Sequence, residues 1–163
     1  MSPFFYAHPE SVSGMSEIFH YECHSCPSQM SAVRSRIRKS AIAFGFDEHT
    51  VGHLVLAVDE ACTNIIRYAY DGKTDEKIEI DVTAKGDMWE VRLRDYGRKA
   101  DPTHLKGREL HEVRPGGLGL FFISQAFDEV HFDHSLEEGT CLVLRKRKIT
   151  EPIRRIPKGA HKA

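Results

Sequence analysis

Apolar and polar positions along the chain change period several times, and each change marks an element. Residues 17–23 (EIFHYEC) alternate apolar and polar side chains, the period of an edge strand. Pro27 suits the first turn of a helix. Met30, Val33, Ile37, Ala41 and Phe44 follow at steps of three and four, and Gly45 is a natural stop. Asp47 is a good N-cap for a second helix. Its apolar stripe runs through Val51, Leu54, Val55, Val58, Ala61, Cys62, Ile65, Ile66 and Ala69 until Asp71-Gly72 ends it. Ile78, Ile80 and Val82, then Trp89, Val91 and Leu93, alternate on either side of Lys85-Gly86-Asp87. That pattern predicts a hairpin with one wet face and one buried face.

Residues 96–116 have no period and contain Gly97, Pro102, Gly107, Pro115 and Gly116. A long stretch without regular structure inside a compact domain is often an active-site lid. A helix is predicted from Leu118 to Phe127, and strands at 129–134 and 140–147 are joined by a turn containing Gly139. The sum is an α+β fold, a two-layer α/β sandwich with a mixed sheet and helices on one face. Residues 1–15 read as a loosely ordered leader, 16–147 as the folded domain and 148–163 as a basic tail.

Composition narrows the class without changing that outline. A chain of 163 residues is sized for one domain, which buries roughly two-thirds of its unfolded surface. With 40% hydrophobic and 29% charged residues it has the balance of a soluble globular protein. Its apolar runs stop far short of the ~20 residues that a membrane span needs, and no basic segment precedes an apolar core near the N-terminus. A cytoplasmic protein is expected. The formal charge of −1 hides an asymmetry: residues 145–163 hold eight Lys/Arg against Glu151 alone, about +7, and the rest is about −8. The tail has no aromatic residue to stack on bases, so nucleic acid is not expected as a partner. Cys23 and Cys26 form a CxxC, and Cys62 and Cys141 fall in apolar patterns. With no second CxxC and no HxxxH expected to complete a site around the CxxC, neither a metal nor a redox role is expected of the cysteines.

Three places carry candidate chemistry. Glu60 and Asn64 are one turn apart, about 40° from each other around the helix and opposite its apolar stripe. Periodicity alone makes them a solvated face. Asn is a poor helix former, however, and a carboxylate beside an amide oxygen can orient water and a hard cation such as Mg²⁺. Asp95 closes a strand next to Gly97, where a carboxylate can take a hydrogen bond from an exocyclic amine or simply cap a turn. The run Arg114-Pro-Gly-Gly-Leu-Gly-Leu120 places three glycines just before a helix. Backbone N–H groups and the helix dipole there favour a phosphate, and Arg114 adds a cation. No GK[ST] follows, so this is not a Walker A loop.

In combination, VDEACTNIIRYAY (58–70), LRDYGRKAD (93–101), RPGGLGLFFISQAFDEV (114–130) and EGT (138–140) resemble the N, G1, G2 and G3 boxes of the GHKL ATPases. Within that superfamily they are most similar to the anti-sigma-factor serine kinases of bacteria. The resemblance covers roughly residues 17–147 and implies the Bergerat ATP-binding fold. It implies that Asn64 ligands Mg²⁺ and that Glu60 is the general base. Asp95 would bind the adenine amino group, with Gly97 leaving room beside the ring and Thr140 supporting the contact. Gly117, Leu118 and Gly119 would let the lid backbone wrap the phosphates of ATP, and Arg114 would neutralise charge near the γ-phosphate. The partners implied are a sigma factor, a STAS-domain antagonist that is the phosphorylated substrate, and a second copy of the chain. Other readings stay open: an ATP-gated binding module without catalysis, or the detached catalytic domain of a histidine kinase. Arg98-Lys99-Ala100 departs from the family, where a further Gly or an aromatic residue is common.

Overall fold

A computed structural model describes residues 14, 16–99 and 118–149. The leader other than Gly14, most of the expected lid, and the tail beyond 149 lie outside the described residues. Strand β1 (Ser16–His24) leads through a 3₁₀ turn at Pro27–Gln29 into α1 (Met30–Phe44). Helix α2 (Glu48–Asn64) continues as a single π turn, Ile65–Ala69. The hairpin of β2 (Lys77–Lys85) and β3 (Met88–Asp95) follows, then α3 (Leu118–Ala126), β4 (Glu129–Asp133) and β5 (Cys141–Arg147). Among the described residues no helix is long and apolar enough to cross a membrane.

Local chemistry sets the breaks as expected. Gly45 stops α1 in the left-handed region, its N–H shared between the carbonyls of Ala41 and Ile42. Asp47 caps α2 by accepting the Thr50 N–H at 3.0 Å and the Thr50 hydroxyl at 2.6 Å. The two helices share a three-residue connection, which makes them antiparallel neighbours.

The sheet order is β1-β2-β3-β5-β4, with every neighbouring pair antiparallel. The two-layer α+β sandwich is as predicted, but its sheet is not mixed. Two helices between β1 and β2 return the chain to the end it left, so those strands run antiparallel. A single helix between β3 and β4 does make that pair parallel, but β5 inserts between them and hides the relation. Ile37, Leu54, Val58, Ile80, Val91, Leu93 and Leu144 fill the layer between helices and sheet. Trp89 anchors its far end, edge-on to Phe46 at 5.8 Å and stacked with Phe127 at 6.4 Å.

The face away from the helices holds a feature that alternation does not announce. Glu90 is 1% exposed although it lies on the polar side of β3. Arg92 Nε donates to its Oε1 at 2.7 Å and Arg145 Nε to its Oε2 at 2.5 Å, while Arg145 also reaches Glu129 at 3.0 Å. Burial pushes the Glu90 carboxyl up, but the bonds from Arg145 and Arg92 outweigh it and hold it below the usual range. A depressed carboxylate contributes stability above its unfolded pKa and loses it as pH falls through the folded value. Glu90→Gln is therefore expected to cost about 2 kcal/mol near pH 7, since it leaves two guanidiniums without their counter-charge. In urea melts, wild type and variant should converge as pH falls from about 5 toward 3.

Candidate functional site

Two groups of sequence-named residues assemble around the C-terminal end of α2. The first is Glu60 with Asn64. Both are half-buried rather than solvated, and the first turn of α3 lies directly against them. A Cβ at Gly119 would sit 3.0 Å from Glu60 Oε2 and 3.3 Å from Asn64 Nδ2. Glycine at 119 lets the start of α3 approach this closely without displacing either side chain. The carboxylate and amide consequently face the N-terminal end of a nine-residue helix, where free backbone N–H groups and the dipole favour an anion.

The second group lies where β3 ends beside β5. Asp95 is 4% exposed; the Gly97 N–H donates to its Oδ1 at 3.0 Å and its own N–H donates to the Thr140 carbonyl at 3.0 Å. Burial pushes the Asp95 carboxyl above its ordinary range, opposed by the Gly97 N–H and the charge of Arg94. Gly139 permits the strand ends to close: a Cβ there would lie 2.6 Å from the Asp95 carbonyl carbon and 2.7 Å from Tyr96 Cα. Thr140 is 5% exposed, and among the described residues its hydroxyl has no partner. A buried hydroxyl left that way costs about 1–3 kcal/mol. Thr140 and the acceptor-only Asp95 thus leave buried polar capacity side by side, which suits a bound group carrying both donors and acceptors.

The π turn joins the two groups. It follows Asn64 directly, a place where such an irregularity often marks function. A Cβ at Gly97 would come within 2.7 Å of the Ala69 carbonyl carbon and 2.8 Å of Tyr70 Cδ1, so the end of β3 rests on the end of that turn. The Tyr70 hydroxyl accepts the Tyr96 N–H at 2.8 Å and donates to the Lys77 carbonyl, and burial pushes its pKa up to about 12. Arg98, the departure from the resembled family, extends the same seam by donating to Asp71 at 2.8 Å and, through its N–H, to Ala69 at 2.9 Å.

Leu118 begins α3, and Arg114 and Gly117 lie outside the described residues. Sequence reasoning missed Tyr70, whose aromatic ring reads as core, and the π turn, which leaves no mark in a 3.6-residue stripe. It also missed His134 and Arg94. Each has a buried nitrogen without a partner among the described residues, and the charge of Arg94 is felt by Asp95.

The chain is similar to known proteins in sequence and in fold. The family described as histidine kinase-like ATPase domain matches residues 23–146. The chain is 31% identical over 128 residues to serine-protein kinase RsbW of Listeria monocytogenes, spanning 74% of this chain and 80% of that protein. Its likeness to serine-protein kinase RsbW of Bacillus licheniformis is 26% over 132 residues, or 74% and 79%. A crystal structure of RsbU and RsbW domains from Mycobacterium tuberculosis shares the fold, with a TM-score of 0.56 at 20% identity. The match covers 79% of this chain and 32% of that longer one.

The three contacts yield distinct expectations for stability. Gly97→Ala meets backbone atoms that cannot step aside, and should cost about 2 kcal/mol or more. Gly119→Ala meets the ends of two side chains, and should cost under about 1 kcal/mol. Asp95→Asn should leave the melting midpoint unchanged or higher at pH 7. A carboxyl raised on folding opposes stability when ionised, so that gap should close as pH falls toward the ordinary carboxylate range. Thermal melts of the three variants check all of this.

Proposed function

We propose that this chain, which belongs to the histidine kinase-like ATPase family, is an ATP-dependent protein-serine kinase that acts as an anti-sigma factor. The observation that carries the reading is the seating of Gly119 against Glu60 and Asn64. It brings a carboxylate, an amide and the anion-favouring start of a helix to one point, the parts a phosphoryl transfer needs. The relatives named serine-protein kinase support the same direction.

In this reading ATP is the phosphoryl donor. Asp95 accepts a hydrogen bond from the adenine amino group, and the Thr140 hydroxyl gains there the partner it otherwise lacks. Gly97 leaves space beside the ring. Gly117, Leu118 and Gly119 give their backbone to the phosphates, and Arg114 supplies a cation near the transferred group. Asn64 would hold Mg²⁺ through its amide oxygen, a fit for a hard cation that keeps most of its waters and takes few protein ligands. Bound Mg²⁺ would neutralise phosphate charge. Glu60 takes the proton of the attacking serine hydroxyl, a contribution of about 10²–10⁴ in rate.

The acceptor is a serine on a STAS-domain antagonist, and the alternative partner is a sigma factor, sequestered by a homodimer in the cytoplasm. The ATPase unit occupies 16–147, flanked by the leader 1–15 and the basic tail 148–163.

The test uses the full chain with Mg²⁺, labelled ATP and a STAS-domain protein. Glu60→Gln should reduce labelling of the partner at least about 10²-fold while nucleotide affinity by calorimetry stays within about threefold. Asp95→Asn should lose nucleotide binding itself. Nucleotide binding without labelling of any partner would leave a non-catalytic, ATP-gated module. No heat with ADP or ATP at millimolar concentration would remove the nucleotide altogether.

A further inference from the structure

Away from this site, the N-terminal half of α2 carries an HxxxH pair, which corrects the expectation that the chain holds none. His49 and His53 are spaced HxxxH, one turn apart on the exposed side of the helix. Their ring centres are 4.3 Å apart with the rings inclined at 64°. Among the described residues neither ring has a hydrogen-bond or ion-pair partner. Two imidazoles therefore stand together on the exposed side of the helix, at the i, i+4 spacing that puts them on one face.

We infer that His49 and His53 form a two-point site for a divalent transition-metal ion of the imidazole-preferring class, Zn²⁺, Ni²⁺ or Cu²⁺. Metal–nitrogen bonds of about 2.1 Å put two chelating imidazole centres roughly 4.5–5 Å apart, and the observed centres are 4.3 Å apart. The scaffold beneath is fixed: Val51, Leu54 and Val55 are buried under this turn, and the Asp47 cap pins its start. The ligands consequently lose little backbone freedom on binding. Glu48 does not compete or assist, because it is engaged by Arg38 at 3.3 Å. No third His, Cys, Asp or Glu joins them among the described residues, so the ion keeps its remaining positions for water or an incoming ligand.

This site differs in kind from the one proposed at Asn64. Imidazole selects borderline transition ions, while Mg²⁺ prefers oxygen ligands. It is also separate in space: seven residues divide His53 from Glu60, about 10 Å along the helix axis. The inference does not rest on the kinase reading.

The experiment titrates Ni²⁺ alone into the full chain without nucleotide, by calorimetry and by thermal melting. Wild type should bind Ni²⁺ and melt at a higher temperature with it. His49→Asn and His53→Asn should each weaken the affinity roughly 10²-fold, because two linked contacts become one, and each should lose the melting shift. Circular dichroism without metal should be unchanged in both, since the side chains are exposed. His131→Asn, on β4, should behave as wild type. Full affinity in either dyad variant, or no heat at millimolar Ni²⁺, would overturn the proposal.

Discussion

The site depends on close approach at three glycines. Gly97 sets the end of β3 against the Ala69 main chain and Gly139 lets β5 begin against the main chain of Asp95, while Gly119 sets the start of α3 against the side chains of Glu60 and Asn64. The first two contacts leave no room for a side chain, and they fix the relative positions of the π turn, β3 and β5, which are far apart in sequence. The side chains thought to do chemistry are then positioned by elements they do not themselves hold together. Tyr70 adds the complementary device, a buried hydroxyl tying the helix end to both strands of the hairpin.

Much of this was legible because it follows from period and punctuation. The stripes of α1 and α2, the Asp47 cap, the Gly45 stop and the alternation of β2 and β3 are local consequences of residue type. What escaped was nonlocal. Strand direction depends on how many helices intervene and on where β5 inserts, and neither quantity is written in any one segment. Glu90 reads as an exposed position on a polar face. It is buried because Arg145, 55 residues later, folds over it. Glu60 and Asn64 also read by period as solvated; the helix that covers them arrives only through tertiary packing. Recognition of four motifs in order supplied the adenine-side assignment of Asp95 and Thr140, which no periodicity contains.

Asp95 illustrates why such sites resist optimisation. Its carboxyl is desolvated and accepts the Gly97 N–H, and the neighbouring Thr140 hydroxyl has no partner among the described residues. Both are costs to the unliganded fold. They make sense as capacity reserved for a molecule that is not part of the chain, the usual sign that stability has been traded for recognition.

The insertion of β5 between β3 and β4 has an implication for biosynthesis. As the polypeptide emerges, the hairpin, α3 and β4 are all made before the strand that separates β3 from β4. Until it arrives, β3 presents an open hydrogen-bonding edge lined by Trp89, Val91 and Leu93, a template for pairing with another nascent chain. Completion of the sheet is a late, long-range event, and aggregation during translation is where this architecture is most exposed.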